Sequence, residues 1–353
     1  MFGKRFNDIR IGVFTMSERK LSLANKYRPK TFSEVSEQES VRVVLENQIR
    51  TNNLKHVYLF CGGAGTGKTT TARIIANMMN DGKGKPIEMD CASRNGVDDM
   101  RMIQDECTTR PLQGKYKIFI LDECHMLSTA AWNSMLKIFE EPPEFVIFLL
   151  CTTDPQKIIP TIMSRVQRFN FSRISTQGIE NRLKYILQQE NITNYEPQAV
   201  SYIARLAKGG MRDAITTLEK CLDYNDNLTL QNVLKVTSGG VTEQTMLELL
   251  QTLLAKDCNN ALNLFEQIYA SGIDMTLFIK LYIEFIQNCV KYLITKNISI
   301  ITVSDIVVNW LEYNSQYFTQ MREQLITLLD IRTTYNSEDV KILLESWIIQ
   351  ICS

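Results

Sequence analysis

The apolar positions in the first half of the chain follow two alternating patterns. Val57–Cys61, Lys117–Glu123 and Phe145–Cys151 are nearly unbroken apolar runs, the second ending in two carboxylates. Pro86–Cys91 and Gln167–Phe171 are shorter candidates. Such runs predict strands buried on both faces. Between them the apolar residues take a helical spacing. Val41, Val44, Leu45 and Ile49 share one face of Gln38–Ile49. Thr70–Ala76 is helix-like and Val97–Thr108 reads as an acidic helix. Trp132, Met135, Leu136 and Phe139 line one face of Trp132–Glu140, which Pro142-Pro143 stops. Strands alternating with helices predict an α/β fold, a parallel five-stranded sheet with helices on both faces.

After Phe171 the pattern is helical only. Ile179–Glu190, Glu196–Lys208 and Arg212–Leu222 read as short helices, with breaks at Asn191–Asn194 and Gly209-Gly210. Beyond Gly239-Gly240 the expected helices are Glu243–Ala255, Asn259–Ser271, Met275–Thr295, Asn314–Ile331 and Glu338–Ile351. No internal repeat interrupts them. A length of 353 residues exceeds one ordinary core, so two or three domains are expected.

Composition narrows the picture slightly. The 39 basic and 39 acidic residues cancel, so contact with nucleic acid would need a local patch. Nine cysteines without a C-x-x-C pair, beside two histidines, predict reduced thiols and neither a zinc site nor a disulfide framework. That suits a cytoplasmic setting. No apolar run has membrane-spanning length. Met1–Lys20 does not read as a secretory signal and is expected to be an extension.

The candidate chemistry centres on Gly62-Gly63-Ala64-Gly65-Thr66-Gly67-Lys68-Thr69, which fits G-x-x-x-x-G-K-[ST] between a strand and a helix. Gly62, Gly65 and Gly67 let backbone N–H groups, with those of Thr66 and Thr70, turn toward phosphate oxygens at a helix N-terminus. Lys68 would reach the β- and γ-phosphates, and Thr69 would hold Mg²⁺. Asp122 and Glu123 end a strand on the side where open α/β sheets bind ligands. Asp122 can hold Mg²⁺, and Glu123 can polarise water as a general base. Thr152 and Thr153 end another strand, within reach of a γ-phosphate or the water.

Several segments resemble the clamp-loader branch of the AAA+ ATPases, specifically the bacterial DNA polymerase III gamma/tau family. They are Lys26–Phe32, the phosphate loop, Asp90–Asp99, Leu121–Leu127, Leu136–Glu144, Thr152–Lys157, Ser164-Arg165 and Gly210–Ala214. They occur in the family's order across residues 21 to 222. The resemblance implies an AAA+ P-loop ATPase domain over 21–172, a small helical lid over 173–238 and an all-α collar over 239–353. It implies that Tyr27, Arg28, Pro29 and Val35 lie against adenine, and that Thr153, or Thr152, is the first sensor. Arg212 resembles the lid arginine that senses the subunit's own γ-phosphate. Arg165 resembles an arginine finger inserted into a neighbour's site. The implied cofactors are ATP and Mg²⁺. The implied partners are other loader subunits in a pentameric ring, a sliding clamp, and primer–template DNA gripped by its phosphates. Arg94, Arg101 and Lys137 are the candidate DNA contacts.

The chain departs from the family in three ways. The interval Asn77–Pro86, where members carry a four-cysteine zinc module, is a short polar turn, so this compact form is expected to bind no zinc. Ser164-Arg165 is followed by Val166 where the family has cysteine. The longer form's extension beyond the collar is expected to be absent. Two other readings remain beside the loader. One is a different AAA+ DNA motor, such as a Holliday-junction helicase. The other is an assembly subunit that binds nucleotide without turnover.

Overall fold

The computed structural model describes residues 21–237, 241–273, 275–334 and 340–353. The expected extension over 1–20, the Gly239-Gly240 break and the start of the last helix at Glu338 lie outside the described residues. The chain runs α1 (Leu23–Lys26), α2 (Glu39–Arg50), β1 (Val57–Gly62), α3 (Lys68–Met79), β2 (Ile87–Asp90) and α4 (Val97–Cys107). It continues through β3 (Lys117–Asp122), α5 (Thr129–Glu140), β4 (Val146–Thr152), α6 (Pro160–Met163) and β5 (Gln167–Phe171).

All strand pairs are parallel, in the order β2-β3-β4-β1-β5. Successive side chains along a strand point to opposite faces. In β1, Val57, Leu59 and Cys61 join Met100, Ile103, Trp132 and Phe139 on one side. Tyr58 and Phe60 join Val41, Leu45, Ile74, Ile75 and Met79 on the other. Both faces are therefore covered, as the unbroken apolar runs predict. Each large side chain buried this way contributes ~1.5–3 kcal/mol. The chain leaves β1 for the far edge at β2 and later returns to its other side at β5. That reversal opens a crevice at the carboxyl ends of the strands.

Four helices follow: α7 (Thr176–Gln189), α8 (Pro197–Leu206), α9 (Met211–Tyr224) and α10 (Leu230–Thr237). Ile179, Leu183, Val200, Ile203, Leu218 and Val233 form their shared core. Leu23 of α1 is buried in this cluster and not against the sheet. The last group is α11 (Glu243–Leu254), α12 (Cys258–Ala270), α13 (Met275–Thr295), α14 (Asp305–Tyr313), α15 (Phe318–Thr334) and α16 (Val340–Cys352), around a separate apolar cluster.

Four helices, α1, α6, α10 and α14, are absent from the sequence expectation; α1 and α6 are four-residue turns of helix. α10 is only eight residues long, with Val233 buried and Leu230, Leu234 and Val236 packed half-buried against the same core. α14 carries Ile306, Val307 and Val308, a β-branched run with low helix propensity. It is helical because Val307, Val308 and Leu311 bury one face in the shared cluster. The helix expected from Asn314 begins at Phe318, after a 3₁₀ turn over Ser315–Tyr317.

The helix α3 extends through Met79 into the interval expected to be a turn, and the turn over 80–86 is organised by Asn80, which is 6% exposed. Its Oδ1 accepts from the N–H groups of Lys115 (3.0 Å) and Tyr116 (2.8 Å), and its Nδ2 donates to the Tyr116 carbonyl at 2.9 Å. The turn is thereby tied to the segment entering β3. Asn80→Ala leaves these backbone groups without their partner, at a cost of about 2 kcal/mol or more. A lower melting temperature in calorimetry is the expected outcome, and an unchanged one would show that the network contributes nothing.

Candidate functional site

The phosphate loop crosses the end of β1 and feeds α3. Gly67 caps α3 at φ 102°, a backbone conformation that side chains resist. Lys68 is the first residue of α3 and is 6% exposed. Its Nζ donates to the carbonyls of Gly62 and Gly63, both at 2.8 Å. An ammonium has three N–H groups, so one remains to aim at an anion. Burial pushes the Lys68 pKa down, and the nearby Glu123 and Asp122 charges oppose that shift.

Thr69, the last residue of the motif and the second of α3, donates its hydroxyl to Asp122 Oδ2 at 2.9 Å. This joins the start of α3 to the end of β3. Hydroxyl and carboxylate oxygens are the hard donors Mg²⁺ takes, and two protein oxygens with substrate phosphates form an ordinary Mg²⁺ site. The pair therefore fits that ion.

Glu123 sits in the left-handed region at φ 47°, ψ 42°. A side chain there is strained by ~1–3 kcal/mol. Two neighbours hold its carboxylate. Thr153 Oγ1 donates to Glu123 Oε2 at 3.0 Å, and His125 Nδ1 lies 3.4 Å from the same oxygen. The same His125 nitrogen is 3.2 Å from Thr152 Oγ1. Of the two threonines, Thr153 is the one that touches Glu123. Thr152 is fully buried and accepts from the N–H of Asp154.

The helical unit after the sheet closes the crevice. Met211 N–H donates to the Gly65 carbonyl at 3.0 Å. A Cβ on Gly65 would lie 3.0 Å from Gly210 Cα, so a larger residue would force the two segments apart. This close approach presents Arg212, at the start of α9, to the loop. From the other side, Arg182 donates to the Tyr27 carbonyl at 2.8 Å, and the Tyr27 hydroxyl bonds Glu190. Burial and then Glu190 push the Tyr27 phenol up to about 12.

The result is a cleft of about 500 Å³. Tyr27, Arg28, Pro29 and Val35 line one end. Gly65, Thr66, Gly67, Lys68, Thr69 and Thr70 form its floor, and Asp122, Glu123 and Arg212 its remaining walls. Gly62 adjoins it through the carbonyl that holds Lys68. Burial, then repulsion from Arg73 and Arg212, pushes the Arg28 guanidinium below its usual pKa. A wall with that much positive charge matches a polyphosphate.

The chain matches three family models in succession. They are "DNA polymerase III, delta subunit" over residues 87–175, "DNA polymerase III clamp loader subunit, ATPase lid domain" over 178–224, and "DNA polymerase III subunits gamma and tau domain III" over 228–300. It is 34% identical over 336 residues to the DNA polymerase III subunit gamma of Buchnera aphidicola subsp. Baizongia pistaciae, covering 89% of each chain. The chain belongs to the DNA polymerase III gamma/tau family. It is also 36% identical to the tau subunit of Bacillus subtilis over 77% of its own length, and 34% identical to that of Escherichia coli over 71%. It spans about half the length of these tau relatives, 52% and 42% respectively. A RuvB structure from Thermotoga maritima superposes with TM-score 0.51 over 65% of this chain and 79% of that one, at 22% identity. That likeness shows the AAA+ fold.

Other residues anticipated from the family lie outside the cleft. Arg165 follows α6, where its guanidinium pairs with Glu140 at 2.6 Å and donates to the Thr161 carbonyl. Val166 beside it packs into the sheet core. Arg94, in the segment preceding α4, Arg101, on α4, and Lys137, on α5, are all exposed, and Arg101 is paired with Asp98 at 2.8 Å. Among the described residues there is no group of three or more His, Cys, Asp or Glu side chains placed to hold a metal, and no helix long and apolar enough to cross a membrane.

Sequence reasoning missed Arg73, Arg182 and His125. Arg73 and Arg182 line the cleft. Arg73 lies on the helix that leaves the loop, so its position was readable. Arg182 reaches the cleft only because α7 docks beside α1, which no local pattern reveals. His125 lies in the Leu121–Leu127 segment that resembles the family, and its spacing from Glu123 was the available signal.

Proposed function

We propose that this chain is an ATP-hydrolysing subunit of a sliding-clamp loader. The observation that carries the reading is the convergence of three elements on one cleft: the phosphate loop, the β3 carboxylates, and the α9 arginine. ATP would lie with its adenine near Tyr27, Arg28, Pro29 and Val35. Its phosphates would lie on the loop, against Lys68 and Arg212. Mg²⁺ held by Thr69 and Asp122 would offset charge on the phosphates. Glu123, oriented by Thr153 and His125, would take a proton from the attacking water. Arg165 of an adjoining subunit would complete the charge neutralisation.

The division at residues 172 and 238 is part of this proposal, and the separate apolar clusters support it. The packing of Leu23 with the lid suggests that α1 moves with the lid when ATP is bound. In this reading the subunit works in a ring with other loader subunits, proposed to be pentameric. ATP binding would let the ring open a clamp, and primer–template DNA would trigger hydrolysis and release. Arg94, Arg101 and Lys137 are the proposed phosphate contacts, because phosphate binding needs only an accessible cation.

The deciding experiment is steady-state ATP hydrolysis by the full chain, alone and with loader partners, clamp and primed DNA. Turnover that rises only in the complete mixture is expected. Strong stimulation by junction DNA without a clamp would favour a branch-migration motor. ATP binding without turnover in every mixture would make the chain an assembly subunit.

A further inference from the structure

A second cleft, of about 540 Å³, lies between the lid helices and the final helical group. Its wall carries four cations: Arg173, Arg205 and Lys208 from the lid side and Lys291 from α13. The only acidic residue in its described lining is Glu284, which pairs with Lys208. Among the described residues, neither Arg173 nor Lys291 lies within ion-pair distance of a carboxylate. The Arg205 Nε is buried with no hydrogen-bond partner, and a guanidinium N–H left this way is costly. Arg205 does feel the buried Glu243 carboxylate behind it, which leaves the excess charge on Arg173 and Lys291.

The cleft is also built on fixed elements. The Asn288 side chain donates to the Thr302 hydroxyl at 2.9 Å and accepts from the Thr302 N–H at 3.3 Å, locking the loop after α13 onto that helix. Gly209, in the wall, has no room for a side chain: its Cβ would fall 2.5 Å from Arg173 Cβ. The adjoining Gly210 is the residue that packs on the phosphate loop at Gly65. The short link Lys208-Gly209-Gly210 therefore walls the second cleft at one end and touches the phosphate loop at the other.

We infer that this cleft binds a small polyphosphate anion. Two unpaired cations from opposite sides, with a third tied to one carboxylate, suit a compact ligand bearing two or more phosphates. The volume matches that of the nucleotide cleft, which suits a small molecule. A ligand bridging Arg173 and Lys291 would hold the lid at one angle to the final helices. Through Gly210 it would bias how tightly the lid closes on the phosphate loop. The inference does not depend on clamp loading, and its test uses neither clamp nor DNA.

The test is calorimetric titration of inorganic tripolyphosphate into the full chain, with the ATP cleft saturated by a non-hydrolysable ATP analogue. Saturable binding is expected. The Arg173→Ala, Lys291→Ala double variant should weaken it at least about tenfold, as losing even one charge-assisted contact would. Affinity for the ATP analogue should stay unchanged, which also reports intact folding. Glu284→Gln should strengthen binding by removing the competing carboxylate. Absence of saturable binding, or binding indifferent to the double variant, would overturn the inference. So would binding of a short single-stranded oligonucleotide where tripolyphosphate does not bind, because the cleft would then serve nucleic acid.

Discussion

Lys68→Ala should abolish ATP binding at concentrations that saturate the unaltered chain. Lys68 is held by two carbonyls at 2.8 Å and is nearly inaccessible, so no other side chain can take its place. Burial has already reduced its tendency to hold a proton, and Glu123 and Asp122 counter that. Phosphate would add a stronger charge partner in the same low-dielectric pocket. A charge-assisted hydrogen bond of this kind is worth ~1.5–3 kcal/mol, and loss of the bond together with the charge it carries corresponds to about a hundredfold or more in affinity. Lys68→Arg should not restore binding, because a planar guanidinium cannot replace a compact ammonium between two carbonyls. Calorimetric titration with ATP measures both variants. Affinity within a few-fold of the unaltered chain would mean that phosphate lies elsewhere in the cleft.

The contrast between Lys68 and Arg182 shows what the sequence could reveal. Lys68, Thr69, Asp122 and Glu123 stand at the ends of strands or the start of the helix following one. Burial of each strand on both faces leaves a signature that survives without any tertiary information, so these positions were legible. Arg182 and Tyr27 meet across 155 residues of chain, through contacts that depend on how the lid docks. Local periodicity carries nothing about that docking. α14 failed for a related reason. Its β-branched residues favour a strand locally, and only packing against α13 makes the helix the better state. The short link at Gly209-Gly210 was read correctly as a break. Its tight approach to Gly65 was invisible, because a glycine in sequence does not say what it packs against.

Arg165→Ala should reduce ATP turnover in the assembled loader by roughly 10³-fold or more while leaving ATP binding intact, the magnitude expected for a finger supplied by a neighbour. Arg165 does not line the cleft of its own chain, so it cannot act there as arranged. It is occupied by Glu140 at 2.6 Å, with further bonds to the Thr161 carbonyl and the Ser164 hydroxyl. To serve a neighbour it must exchange a carboxylate for a phosphate. Glu140 and Arg165 are both partly exposed, with side chains 48% and 34% accessible, so the pair is screened by water and costs little to break. A triphosphate carries more charge than a carboxylate, which drives the exchange once subunits meet. Arg165 would thus be kept oriented in the free subunit and released on assembly. The alanine variant should behave normally in every measurement on the isolated chain and fail only in the ring. Assembled turnover that survives the substitution would remove Arg165 from the reaction and leave the proposed charge neutralisation to the arginines that line the chain's own cleft, Arg28, Arg73, Arg182 and Arg212.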